Sequence, residues 1–106
     1  MNKITGYKEL ENKIGYVFRE QKLLKLALTH SSFSNEVKLN KTENYERLEF
    51  LGDAVLELAV SEYLYKNNPG MQEGNMTKTR ASLVCEPTLA YCAKNFCLGD
   101  FLLLGK

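Results

Sequence analysis

Between Leu48 and Val60, nine of thirteen residues are apolar, and the run holds no proline and one glycine, Gly52. At about 100° per residue these side chains cover most of a helix's circumference, the pattern of a helix buried on nearly every side. Its ends are marked. Asn44 has a short side chain suited to accept from early backbone N–H groups, so it is the expected N-cap. Asn68-Pro69-Gly70 stops the helix after about Asn67. Two prolines, seven glycines and few β-branched clusters point away from a sheet, and helical spacing of apolar residues recurs along the chain, so the expected fold class is all-α.

The rest of the chain agrees. Tyr7, Leu10 and Ile14 fall at i, i+3 and i+7 and predict a first helix. Leu23, Leu24, Ala27 and Leu28 predict a second, ending near His30, Ser31 and Ser32. Ser32 to Glu43 is polar and without period and reads as a loop. A fourth helix is expected from near Asn75 to about Val84. Pro87 suits the first turn of a fifth, where its missing N–H costs little. Leu98 to Leu104 reads as a short last helix or an extended tail. No internal repeat or low-complexity segment interrupts this order.

Composition narrows the class further. The 106 residues are 44% hydrophobic and 25% charged with a net charge of +1, which suits one compact core rather than a disordered chain. No run approaches the ~20 apolar residues of a membrane span. Lys3, Lys8, Glu9, Glu11 and Lys13 break the start of the chain, so no secretory signal is expected. Three cysteines, Cys85, Cys92 and Cys97, at spacings of seven and five match no common zinc pattern. Their odd number argues against a disulfide framework, and they read as small apolar core residues in a reducing, cytoplasmic setting. The near-neutral balance gives no global argument for a nucleic-acid partner, which must come from local features.

The local feature is acidic. Within the apolar helix, Glu46, Glu49, Asp53 and Glu57 fall in one arc of about 80°. Like charges at these spacings repel by roughly 0.2–0.5 kcal/mol per pair even on an exposed helix, and desolvation raises the cost. No Lys or Arg lies in the arc, and Arg47 points about 100° away from Glu46. Either countercharges come from elsewhere in the fold, or a hard divalent cation supplies them, since carboxylate oxygens and water are its preferred ligands. A solvated acidic stripe is the bland alternative. Gly52 is a second signal: glycine inside a helix costs about 1 kcal/mol relative to Ala and makes sense where a backbone or ligand approaches closely.

The run Glu46-Arg47-Leu48-Glu49-Phe50-Leu51-Gly52-Asp53-Ala54-Val55-Leu56 resembles the signature of the ribonuclease III endonuclease domain. Leu28-Thr29-His30-Ser31-Ser32-Phe33 with Asn35-Glu36 resembles the family's segment ahead of that signature. Glu73 through Val84, then Leu89-Ala90 and Leu98-Gly99-Asp100, resemble the segments after it. The resemblance implies an all-α domain that cleaves double-stranded RNA as a homodimer with Mg2+, or Mn2+ in its place, in RNA and rRNA processing. It implies that Glu49 and Asp53 are catalytic metal ligands and that Glu46 and Glu73 belong to the surrounding acidic valley. It implies that Phe50 inserts into the partner subunit, with Gly52 in the same close-packed region. Glu57 is not singled out by the signature and reads as solvated or ion-paired. Lys38, Lys41, Lys78 and Arg80 are candidate phosphate contacts. His30 is expected to pack or hydrogen-bond at the end of its helix rather than act as a base. Cys85 stands where the family commonly has serine, and a thiol caps a helix less well.

The family's domain continues, past the position of Lys106, into helices that carry a second acidic motif, and a double-stranded-RNA-binding domain follows. The chain therefore resembles a partial endonuclease domain, truncated before its C-terminal helices and holding half of the first carboxylate set. Two expectations stand side by side. One is a fragment of a double-stranded-RNA endoribonuclease with little or no activity by itself. The other is a non-catalytic helical module that dimerises through the signature helix. Both predict a homodimer or higher oligomer, because the missing helices would leave apolar faces uncovered.

Overall fold

The structure is a computed structural model that describes residues 3–38 and 40–105, with side chains from Tyr7 onward. It is all-α, as expected: α1 (Lys3–Ile14), α2 (Gln21–Ala27), α3 (Ser31–Glu36), α4 (Glu46–Asn67), α5 (Glu73–Leu83) and α6 (Glu86–Asn95), then a 3-10 turn over Leu98–Phe101. No strand forms among the described residues, and one isolated parallel bridge pairs Thr29 with Leu103. No described helix is long and apolar enough to cross a membrane.

The core lies where the two ends of the chain meet. Leu10 of α1 and Leu24 and Leu28 around α2 are buried, and Tyr7, Phe18, Phe96, Leu98, Phe101 and Leu102 pack against them. The final residues are thus both predicted things at once, a 3-10 turn and then an extended tail. The tail is held by backbone bonds: His30 N–H donates to Leu103 O at 2.9 Å, and Leu103 N–H donates to Leu28 O at 2.8 Å.

The α1–α2 connection is built on a buried carboxylate. Gly15, at φ +73°, takes the left-handed conformation that ends α1, and its N–H donates to Glu11 O at 2.9 Å. Glu11, only 6% exposed, accepts from Phe18 N–H at 2.6 Å and from Gln21 Nε2 at 3.1 Å. Gln21 also donates to Phe18 O at 2.9 Å. These bonds fold Phe18 back onto the core.

Several expectations need correction. The Ser32–Glu43 segment is not all loop, because α3 occupies Ser31–Glu36. Its apolar content is too low for periodicity to reveal it. A local cap explains it instead, with His30 Nδ1 accepting from Ser32 N–H at 3.0 Å. Nor is α4 buried on all sides. Of its 22 residues only Leu64 is buried, while Phe50, Leu51, Val55 and Leu58 are exposed. Its main neighbour is α5. The molecule is accordingly long, 51 × 28 × 24 Å with a radius of gyration of 16.3 Å, against about 13 Å for a compact chain of this length.

The other boundaries lie near their signals, but the N-cap of α4 is Tyr45, with no side-chain cap, and not Asn44 as expected, which stands one residue earlier. Asn44 is 3% exposed, and its Oδ1 accepts from Glu46 N–H at 3.0 Å. Its Nδ2 donates to Lys41 O at 3.0 Å and Ser34 Oγ at 3.3 Å, so one side chain starts α4 and ties it to α3. Pro87 sits in the first turn of α6. The cysteines are free, with Cys92 and Cys97 exposed and Cys85 partly exposed, not core residues as expected. Cys85 makes no side-chain cap to α6. Hydrogen bonds from Thr88, its side chain first and then its backbone, hold the Cys85 thiol below its ordinary value.

Glu11→Ala should lower the unfolding free energy by about 1–3 kcal/mol, because the Phe18 amide loses its acceptor inside the fold. Urea denaturation reads this directly, and an unchanged midpoint would contradict the role given to Glu11.

Candidate functional site

The first half of α4 places the four acidic residues on one cleft. Glu46, Glu49, Asp53 and Glu57 line it together with Phe50, Leu51, Gly52, Ala54, Leu56 and, across from them, Leu89 of α6. Its volume is about 800 Å³. No basic side chain lines it. Glu57, which the family signature does not single out, lies on the same cleft as the other three. Leu89 belongs to a flanking match of the resemblance, and the fold brings it to the same cleft as the acidic run of α4.

Among the described residues the ion pair is Lys66–Glu62, at 3.7 Å on the exposed end of α4. Among the described residues, the carboxylates of Glu46, Glu49, Asp53 and Glu57 accept no hydrogen bond and make no ion pair. Nor do any three His, Cys, Asp or Glu side chains among the described residues converge to hold a metal ion. Glu49 and Asp53 are one helical turn apart and provide two carboxylates, short of the six or more oxygens a hard cation takes. The donor set present does not by itself complete a cation site.

The remaining candidates are distributed. Glu73 begins α5 and lines a separate groove with Ser61, Tyr65, Met76 and Arg80, away from the acidic cleft. Arg80 donates from Nη1 to Ser61 Oγ at 2.9 Å, so it clamps α5 to α4. Lys38, Lys41 and Lys78 are exposed. Lys38 stands in left-handed backbone at φ 60°, just after α3. His30 caps α3 and meets the Tyr45 ring edge-on at a centroid distance of 5.7 Å.

Phe50 is 83% exposed, an unusual position for a large aromatic side chain. A Cβ built on Gly52 meets nothing within 4 Å, so no close approach within the chain requires this glycine. Gly52→Ala should therefore raise the stability of the isolated chain by about 0.5–1 kcal/mol through helix propensity. Thermal unfolding at low protein concentration measures it, and destabilisation would show a constraint the fold does not contain.

The pattern of the Ribonuclease-III-like family matches residues 20–106. The chain is 58% identical over 97 residues to Ribonuclease 3 of Pelotomaculum thermopropionicum, covering 92% of this chain and 40% of that protein. It is 55% identical over 100 residues to Ribonuclease 3 of Geobacillus kaustophilus, covering 94% of this chain and 41% of the relative. Among solved structures, the nuclease domain of Ribonuclease III from Campylobacter jejuni superposes with a TM-score of 0.80 at 46% identity. That match covers 92% of this chain and 64% of the solved one, which is described as flexible in a region involved in its dimer formation. The chain thus spans about two-fifths of the length of these curated relatives. With the signature run on α4, its acidic residues on one cleft and the fold shared, the chain belongs to the Ribonuclease-III-like family.

Proposed function

We propose that the chain is the part of a double-stranded-RNA endoribonuclease that carries Glu49 and Asp53, two of the carboxylates that hold a catalytic Mg2+ or Mn2+. The observation that carries this reading is the cleft of four carboxylates that, among the described residues, are unpaired and have no basic residue beside them in its lining. A phosphodiester brought to such a surface meets only like charge, so nucleic acid can be processed there only with a cation between the two. When bound, a divalent cation supplies Lewis-acid stabilisation and an activated water for in-line attack on phosphorus.

This chain's own part is narrower. Glu49 and Asp53 present oxygens from a rigid helix, Glu46 and Glu57 extend the negative potential along the cleft, and Leu56 and Leu89 give it an apolar wall. Two carboxylates hold a cation weakly, and the 106-residue chain has little activity alone. Recognition of the duplex rests on shape, through phosphates and 2′-hydroxyls. Lys38, Lys41 and Lys78 are free to contact phosphates, whereas Arg80 is engaged with Ser61. Glu73 adds negative charge on the neighbouring groove.

Mg2+-dependent cleavage of a long RNA duplex tests the assignment. The 106-residue chain should cut little, and a longer chain that includes the following residues of the family domain should cut well. In that longer chain Glu49→Gln or Asp53→Asn should reduce cleavage by at least about a hundredfold, as expected for loss of a metal ligand or its orientation. Robust cutting by the short chain, or activity that survives both substitutions, would overturn the reading.

A second reading, a dimerisation module, is favoured by one observation: Phe50, Leu51, Val55 and Leu58 are exposed together on α4. The two readings are compatible, since a nuclease of this kind can dimerise through the helix that carries its carboxylates. Light scattering should give a dimer or larger species, and Phe50→Asp should shift it toward monomer without unfolding the chain. A monodisperse monomer for the unmodified chain would count against association through α4.

A further inference from the structure

We infer that His30, Ser32 and the Gly105 amide form a proton-sensitive latch that fastens the end of the tail to the start of α3. This inference is independent of the nuclease reading. The hydrogen-bond directions carry it. Gly105 N–H donates to Ser32 Oγ at 2.8 Å. The Ser32 hydroxyl lies 2.7 Å from His30 Nδ1, and Ser32 N–H donates to the same nitrogen at 3.0 Å. Ser32 N–H can only donate, so Nδ1 is an acceptor here, and the hydroxyl, whose Oγ accepts from Gly105, turns its single proton to the same nitrogen. Nδ1 therefore receives two donors and keeps its lone pair, which places the ring proton on Nε2.

A second observation shows that the approach at Gly105 is built rather than incidental. A Cβ at Gly105 would meet Ser32 O at 2.6 Å and Ser32 C at 2.8 Å, both backbone atoms, so no larger residue fits there. The same junction holds Leu103 between Leu28 O and His30 N. It also seats the start of α4, because Tyr45 N–H donates to Thr29 O at 2.9 Å and the Tyr45 ring packs against the imidazole.

Protonation of Nδ1 changes an acceptor into a donor. The Ser32 amide then faces an N–H and loses its partner, so α3 loses its cap. The Ser32 hydroxyl must turn its own proton away, and its oxygen then accepts from a cationic ring N–H as well as from Gly105, which weakens its hold on Gly105. Tyr45, from the start of α4, is the titratable side chain packed on the ring. On the other elements that meet here, α2 carries Lys25 in its last turn, α3 carries Glu36 at its far end, and residues 102–105 carry none. None of these forms an ion pair with the imidazole. The latch is closed when His30 is neutral and loosens as it takes a proton.

Amide hydrogen exchange, corrected for the intrinsic effect of pH, tests this at two pH values chosen from the imidazole nitrogen shifts, one with the ring neutral and a lower one with it protonated. Protection of the Ser32 and Gly105 amides should fall about tenfold at the lower pH, the scale of one or two lost hydrogen bonds. His30→Asn keeps an N-cap acceptor but cannot titrate, so its protection should be the same at both pH values. Nitrogen chemical shifts of the native imidazole should report a proton on Nε2 and none on Nδ1 near neutral pH. A proton on Nδ1, unchanged Ser32 protection at low pH, or an equal pH response in His30→Asn would each overturn the latch. Should the Asn variant fail to fold, the imidazole shifts and exchange in the native chain decide it.

Discussion

The backbone exchange around Leu103 is the contact on which the rest of the molecule depends. It joins the junction between α2 and α3 to the tail, and Gly105 meets Ser32 across a separation of 73 residues. Closing so long a loop costs chain entropy, though only logarithmically in its length. The return is concentrated in one place. The tail delivers Phe101 and Leu102 to the buried Leu10, Leu24 and Leu28, and the same junction anchors Tyr45 at the base of α4. Remove the exchange and the core loses one wall while α4 loses its footing.

Electrostatics and packing pull the same helix in different directions. The apolar residues of α4 would gain by burial, roughly 1.5–3 kcal/mol for each large side chain fully covered. Its carboxylates would be penalised by that same burial. Within the described residues neither is resolved: Phe50 and Leu58 stay in solvent, and Glu49 and Asp53 stay without partners. Water screens the acidic arc and makes it tolerable, while the apolar surface remains available to another surface. The exposed state of α4 is therefore a compromise that would shift if either a cation or a covering chain arrived.

Much of this was readable from residue types. Asn44, the Asn68-Pro69-Gly70 stop and Pro87 bracket their helices because each acts through local backbone chemistry. The acidic arc is legible because helical spacing alone puts Glu46, Glu49, Asp53 and Glu57 on one side, and all four reach one cleft. What escaped depends on partners distant in sequence or on single side-chain bonds. By residue type Glu11 is only one of the charges that break the start of the chain, yet it is buried, where its carboxylate accepts from Phe18 N–H and Gln21. The helix α3 is too short and polar to show a period, and its cap is an imidazole rather than a usual capping residue. The exposure of α4 was not legible, since apolar periodicity reports what a helix prefers to bury and not whether neighbours are present to bury it.

The geometry of α4 has a mechanical side. Its 22 residues make a rod about 33 Å long. It is fixed at its base through Tyr45 and Asn44 and again near its far half by Arg80 on Ser61. Asp53 lies about 10 Å along the rod from Glu46. A tilt at the base of only about 6° would move the Asp53 carboxylate by roughly 1 Å, which, on the catalytic role proposed for Asp53, is enough to change a rate about a hundredfold. The rod is a lever, and the hydrogen bonds around Thr29, Asn44 and Tyr45 are its fulcrum.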